Sequence, residues 1–242
     1  MKTIITLGID MSSQAEGTAA CSVSWDAERA VATTPRLGCD DEILGDMIAK
    51  SDAIGIDAPF GWPTLFAEAV GAWEFTDWNP DLRERLCFRE TDRVVHEKVG
   101  RWPLSVSADR IALPTMRTFA LLVRYGVTDR SGCEKFYEVY PAGSLNHWGL
   151  TSRSYKKDTD DHKQARESIL DSLCKAMPWL VVPEACAATG DGLDALIASL
   201  TARAAMQGRT LRPTPEQATY ARREGWIHLP TDLPATIGVV AR

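Results

Sequence analysis

A five-stranded mixed α/β sheet with helices on both faces is the fold class that this 242-residue sequence predicts. Three observations predict it. Two apolar runs, TIITLGI (3–9) and AIGI (53–56), each end on an aspartate, as LGID and IGID. Runs too apolar to alternate are the mark of central strands covered on both faces. Between them lie a pair of hairpin-type β-runs and then a helical pattern, an order that sets the second apolar run parallel to a central strand. Strand patterning then stops over residues 58–130 and resumes once, so a large helical insertion follows the fourth strand.

TAACSVSW (18–25) and ERAVATT (28–34) are β-type runs joined by a tight polar turn at Asp26 and Ala27, which predicts a hairpin. DDEILGDMIAKS (40–51) opens on aspartates suited to a helix N-terminus, with Ile43, Leu44, Met47 and Ile48 on one helical face. AIGID (53–57) is the fourth strand, which Pro59, Gly61 and Pro63 forbid to continue. The insertion, 58–130, is rich in Trp and Arg and broken by Pro63, Pro80, Pro103 and Pro114. KFYEVYP (135–141) reads as the fifth strand, again stopped by proline, and 161–177 as an amphipathic helix. LVVP (180–183) is either a short edge strand or a connector. DGLDALIASLTARAAM (191–206) is the strongest helix, Ala-rich with Leu193, Leu196, Ile197 and Leu200 on one face. TPEQATYARREG (214–225) begins with a capping box of Thr214 and Gln217 around Pro215, and Gly225 ends it. The whole chain, 1–242, reads as one domain.

Composition narrows the function. Hydrophobic content of 45% and charged content of 25% are those of a soluble globular protein. No run approaches the roughly 20 apolar residues of a membrane span, and no targeting segment opens the chain. The six cysteines are scattered with no Cys-x-x-Cys pair, which argues against a zinc ribbon and a disulfide scaffold. A cytoplasmic, reduced protein with no membrane partner is the expectation. The net charge of −6 opposes a non-specific grip on nucleic acid, since phosphate neutralisation supplies most of that affinity. Cations concentrate only in 83–101 (Arg83, Arg85, Arg89, Arg93, Lys98, Arg101) and in the group Lys156, Lys157, Lys163 and Arg166. These are either solvated helix faces or local anion-binding surfaces.

The carboxylates carry the chemistry. In open sheets with parallel neighbours, ligands sit beyond the carboxyl ends of the strands, where Asp10 and Asp57 both lie. If the two strands are adjacent, their side chains approach to roughly 4–6 Å, and such a pair needs protons or a cation between. Hard oxygen donors in a cluster suit Mg²⁺ or Mn²⁺. Glu138, inside a strand, needs water, a metal or a partner such as Arg117 or Lys156. Asp191 and Asp194, three apart, project from one side of their helix start, away from the leucine face. Each acid has a plain alternative: strand-end turn bonds for Asp10 and Asp57, a cap for Asp191 and a dipole partner for Asp194. Their joint placement at one sheet edge favours a shared metal site.

Taken together, LGID, IGIDAPFGWP, CFRETDR (87–93), YEVYPAGSL (137–145), SYK (154–156), GDGLDALIASLTA (190–202) and EGWIHLP (224–230) resemble a family of unknown function described as predicted nucleases with an RNase H-like fold. The resemblance runs nearly end to end. It implies the fold of RNase H, the resolvase RuvC and the YqgF-type nucleases, with acids on the first strand, the fourth strand and the last core helix. Those map to Asp10, Asp57 and Asp191 or Asp194; Glu138 falls where the wider superfamily does not regularly keep an acid. The chemistry it implies is two-metal phosphodiester hydrolysis of DNA or RNA with Mg²⁺ or Mn²⁺, Asp10 bridging both ions. Arg89, Asp92, Arg93 and Lys156 are then the candidates to hold the scissile phosphate. Trp62, Trp73, Trp78 and Trp102 either stack bases or fill a core. His147 and His228 lie in family-like text and read as structural.

Two other classes remain open. GIDMSSQAEGTAA faintly resembles the first phosphate loop of actin-like and sugar-kinase phosphotransferases, with Ser12, Ser13 and Thr18 as hydroxyls. The loop lacks the glycine density that wraps phosphates, and the chain is short for the two domains that clasp a nucleotide. A non-catalytic protein that keeps the fold and binds metal or nucleic acid is the third class.

Overall fold

The computed structural model describes residues 3–73, 80–132 and 134–238. Seven strands form one mixed sheet: β1 (Ile4–Asp10), β2 (Ala19–Trp25), β3 (Ala30–Ala32), β4 (Arg36–Leu37), β5 (Ala53–Asp57), β6 (Phe136–Glu138) and β7 (Leu180–Val181). Their spatial order is β6-β5-β1-β2-β3-β7, with β4 also on β2. β1 runs parallel to β5 and antiparallel to β2, and β5 runs parallel to β6. The five expected strands form the run β6-β5-β1-β2-β3, with β6 at one edge, and the two further ones, β4 and β7, are two residues long. β4 exists because the expected strand 28–34 breaks at Pro35, which lacks a donor and restricts the residue before it. LVVP supplies the edge strand β7, parallel to β3.

The helices are α1 (Asp41–Ala49), α2 (Thr64–Ala72), α3 (Pro80–Cys87), α4 (Glu90–Val99), α5 (Ala112–Arg124), α6 (Pro141–His147), α7 (Asp160–Ala176), α8 (Gly190–Met206) and α9 (Ala218–Glu224). Asp40 caps α1, accepting from the amides of Glu42 and Ile43. β6 is shorter than KFYEVYP because Pro141, unable to donate to a ladder, opens α6 instead. Thr214 and Gln217 exchange their capping-box bonds, yet continuous helix starts only at Ala218.

Strand alternation divides the core. Leu7, Ile9, Ile54 and Ile56 pack with Leu44 and Ile48 of α1 and Leu121 and Leu122 of α5. Cys21, Val23 and Trp25 of β2 pack with α7 and α8 on the other face. The segment 58–130 is therefore not wholly peripheral: α2 to α4 make the excursion, and α5 returns to cover the sheet. No described helix is long and apolar enough to cross a membrane.

Candidate functional site

The even positions of β1 and the odd positions of β5 face α8. Gly8 and Gly55 are partners in the ladder, and so are Asp10 and Asp57 two residues on. A Cβ at Gly8 would lie 1.9 Å from the Ala195 carbonyl oxygen and 2.3 Å from the Ser199 amide nitrogen; one at Gly55 would lie 2.4 Å from the Ala198 carbonyl oxygen. Bare glycine backbone lets α8 rest directly on the sheet. Thr6 locks the register, its hydroxyl 2.7 Å from that of Ser199 and accepting from Trp25 Nε1. The helix thereby carries Asp194 to the carboxyl ends of β1 and β5. One carboxylate oxygen from each of Asp10, Asp57 and Asp194 lies within 4.8 Å of the others.

Two neighbours fix this trio. The Tyr155 hydroxyl donates to Asp194 Oδ1 at 2.8 Å. The Lys156 ammonium pairs with Asp194 Oδ2 and stands 3.9 Å from Asp57 Oδ2, although half of its side chain faces solvent. Burial lifts the pKa of all three acids. Asp57 is pushed up to about 7, with Lys156 opposing and Asp194 and Glu138 adding. Asp10 stands well above the usual carboxylate range, by burial and then by the charges of Asp194, Asp57 and Asp191 against the pull of Lys156. Asp194 is raised by burial, while Lys156 and Tyr155 hold it down. Desolvation disfavours the charged Lys156, yet Asp194, Asp57 and Asp10 keep its pKa well above the ordinary value. One ammonium thus faces three carboxyl groups, a shortfall of positive charge that protons or a cation make up. Three hard oxygen donors without nitrogen or sulfur fit Mg²⁺ or Mn²⁺.

Asp10, Asp57 and Lys156 line a cleft of about 220 Å³, and Asp194 lies buried behind them. The rest of its wall is largely apolar, including Met11, Pro103, Leu104, Ile111, Pro114 and Ile227.

Other expected residues are placed differently. Asp194 does not project away from the packed face; it is fully buried, because α8 is covered all round and not along one stripe. Asp191 is half-buried and outside the trio, and Thr189 caps the helix in its place, accepting from the Gly192 amide at 3.0 Å. Glu138 pairs with neither Arg117 nor Lys156. Its carboxylate takes both ends of the Arg89 guanidinium (2.9 and 2.7 Å) and the Phe60 amide (2.9 Å). Arg117 instead bonds Asp41, Ser12, Thr18 and Cys39.

Arg89, 1% exposed, directs its five N–H groups to Asp92, Glu138 and the Glu224 carbonyl, so no donor remains for a phosphate. Asp92 is buried in the same network and closes a capping box on the Arg89 amide. Arg93 pairs with Glu84 and Glu90 and does not line the cleft. Of the four expected phosphate ligands, Lys156 alone stands beside the acid trio, its side chain half-exposed. Trp102 is sandwiched between Phe88 and His96, Trp62 leans on Phe119, Trp73 is exposed, and Trp78 lies outside the described residues. The Thr18 hydroxyl of the phosphate-loop-like stretch is spent on Ser12, Gln14 and Arg117.

Sequence reasoning missed Tyr155 and Glu224. Tyr155 is adjacent to Lys156 in the SYK text, a usable signal. Glu224, which opens the EGWIHLP text, accepts from the amides of Thr64 and Glu90, more than a hundred residues away, so no local pattern pointed to those partners.

No curated protein and no solved structure matches this chain. Residues 8–219, which hold the acid trio, Lys156 and the glycine contacts beneath α8, match a family model, and the chain belongs to that family, Protein of unknown function (DUF429).

Proposed function

We propose that the chain is a metal-dependent nuclease of RNase H-like fold that hydrolyses phosphodiester bonds of DNA or RNA with Mg²⁺ or Mn²⁺. The observation that carries this reading is the convergence of Asp10, Asp57 and Asp194, from two parallel strand ends and one helix, beside a cleft that Asp10 and Asp57 line. An acid-bearing first strand beside a parallel acid-bearing strand, crossed by an acid-bearing late helix, is the arrangement such a fold requires. Asp10, Asp57 and Asp194 would hold the ion, and Asp191 is the further carboxylate nearest in sequence to the trio for a second. A bound divalent cation supplies Lewis-acid polarisation and a water acidic enough to attack. Tyr155 orients the Asp194 carboxyl, Lys156 is the cation placed to meet a phosphate oxygen, and the apolar wall offers a surface for a base.

Labelled single-stranded, duplex, hybrid and branched substrates, incubated with Mg²⁺ or Mn²⁺, test the proposal. Cleavage is expected with at least one of them, and Asp10→Asn should lower its rate by roughly 100-fold or more. Hydrolysis absent with every substrate, or equal in the variant, removes the reading.

A second reading, a non-catalytic binder, draws on one observation: Lys156 already sits on Asp194 and partly neutralises it. A purified preparation that cuts, with cutting lost in Asp10→Asn, eliminates it.

A further inference from the structure

A second cavity, of about 450 Å³, lies on the other side of Lys156. Arg101, Arg153, Lys156, Lys157 and His162 line it with the hydroxyl-bearing Ser152, and no carboxylate does. These residues come from three separated places: the segment after α4, the loop before α7, and the first turn of α7. Among the described residues, Arg101, Arg153 and Lys157 make no ion pair, as is true also of Lys50 and Lys163; what sets these three apart is that one cavity gathers them. In a chain of net charge −6, a concave wall on which Arg101, Arg153 and Lys157 stand unmatched beside the acid-paired Lys156 favours anions.

The wall is held in place from below. Arg166, grouped in sequence with cations read as either a solvated helix face or an anion-binding surface, is 1% exposed and donates to the carbonyls of Tyr155, Lys157, Ala187 and Ala188. It clamps the loop on both sides of Lys156 and ties it to the turn that leads into α8. The Lys157 amide donates to His162 Nδ1 at 3.0 Å, which leaves Nε2 as the donor nitrogen of the neutral ring. Ser154 holds the left-handed conformation, φ 56°, that turns the loop toward Tyr155.

Lys156 lines both this cavity and the acid cleft. We infer that the basic cavity is a phosphate subsite for a single nucleic-acid strand, gripping a backbone phosphate next to the one presented to the acids. The identity of the ligand as a strand rests on the nuclease reading of the acid trio; the anion preference rests on the cavity alone. A strand crossing Lys156 has its reacting phosphodiester at the acids and its neighbour among Arg101, Arg153 and Lys157.

Binding of a fluorescein-labelled single-stranded oligonucleotide to the full chain, measured by anisotropy in EDTA over a range of KCl, tests this without requiring turnover. Arg153→Gln and Lys157→Gln should each weaken binding by about 3–10-fold and each reduce the slope of log K against log salt by about 0.7, the share of one single-strand phosphate contact. Lys50→Gln, an exposed cation at the end of α1 and outside the cavity, should change neither. Unchanged melting curves establish that these exposed substitutions leave the fold intact. Equal affinity and slope in all variants overturns the subsite. Inorganic phosphate or a nucleoside monophosphate competing fully, with no gain in affinity from two to eight nucleotides, overturns the strand in favour of a small phosphate ester. If binding depends on Arg153 and Lys157 but no metal elicits cleavage, the subsite stands and the nuclease reading falls. If cleavage is intact and Asp10-dependent while binding ignores both substitutions, the reverse holds.

Discussion

His228 is fully buried, with Nδ1 2.8 Å from the Thr210 hydroxyl and Nε2 3.1 Å from the Ser131 carbonyl, and its ring stands edge-on to Tyr137. A carbonyl only accepts, so Nε2 carries the proton and donates to Ser131, while Nδ1 accepts the hydrogen bond that the Thr210 hydroxyl donates in the neutral ring. Burial above all pushes its pKa down to about 4, from 6.5, with the Ser131 carbonyl opposing and Arg212 adding. Between those values the unfolded chain binds the proton and the folded chain does not. The stabilisation is therefore complete above pH 6.5 and is lost as pH falls toward 4. Urea unfolding should show about 3 kcal/mol of this acid loss in the parent and not in His228→Gln; equal acid limbs would assign the loss elsewhere. The raised carboxyls of the acid trio act in the opposite sense, and both proteins share them. The structural role of His228 was legible, since a lone His among apolar neighbours is more often packed than catalytic. That Lys156 and Tyr155 both meet Asp194 was not, because the contacts span 38 and 39 residues of sequence and depend on where Arg166 pins the loop.

At the scale of elements, α8 decides whether there is a site at all. Every residue from Gly190 to Met206 is buried except Asp191 and Met206. A helix covered all round shows no clean apolar stripe, so assigning Leu193, Leu196, Ile197 and Leu200 to an inner face left Asp194 on a wet side that does not exist. The signal was in the small residues: Ala195, Ala198, Ser199 and Ala202 sit where Gly8 and Gly55 allow backbone contact. The repeated GID text accordingly has two parts, a glycine that admits the helix and an aspartate that meets it. Gly8→Ala places a methyl group against unyielding helix backbone and should cost about 3 kcal/mol or more in urea unfolding, or abolish soluble folding. Gly71→Ala, in α2 with open space at its Cβ, is the matched control and should be neutral or stabilising by up to about 1 kcal/mol. A tolerated Gly8→Ala beside that control refutes the close-packing account of how Asp194 is delivered.

For the whole molecule, the question is what holds the excursion α2–α4 to the sheet, since its described residues carry no strand to pair. The buried network around Arg89 answers it. Through one guanidinium, α4 is joined to Glu138 on β6 and to the end of α9, while Glu224 of α9 accepts from the starts of α2 and α4. Burial disfavours the charge of Arg89, but Asp92 and Glu138 together hold it firmly protonated, and burial pushes Glu138 up against the pull of Arg89. Removing one member of such a network leaves the others charged, desolvated and unmatched, so Arg89→Met should lose about 3–5 kcal/mol. Arg89→Lys should lose stability too, because one ammonium cannot serve five positions in a planar fork. Glu138→Gln alone should destabilise, yet added to Arg89→Met it should recover part of the loss by removing one orphaned charge. A double-mutant cycle from urea unfolding measures that coupling. Were Arg89 instead a ligand of the scissile phosphate, Arg89→Met would keep parental stability and lose only cleavage. The two outcomes differ in which measurement moves, and the saturated donors of Arg89 favour the first.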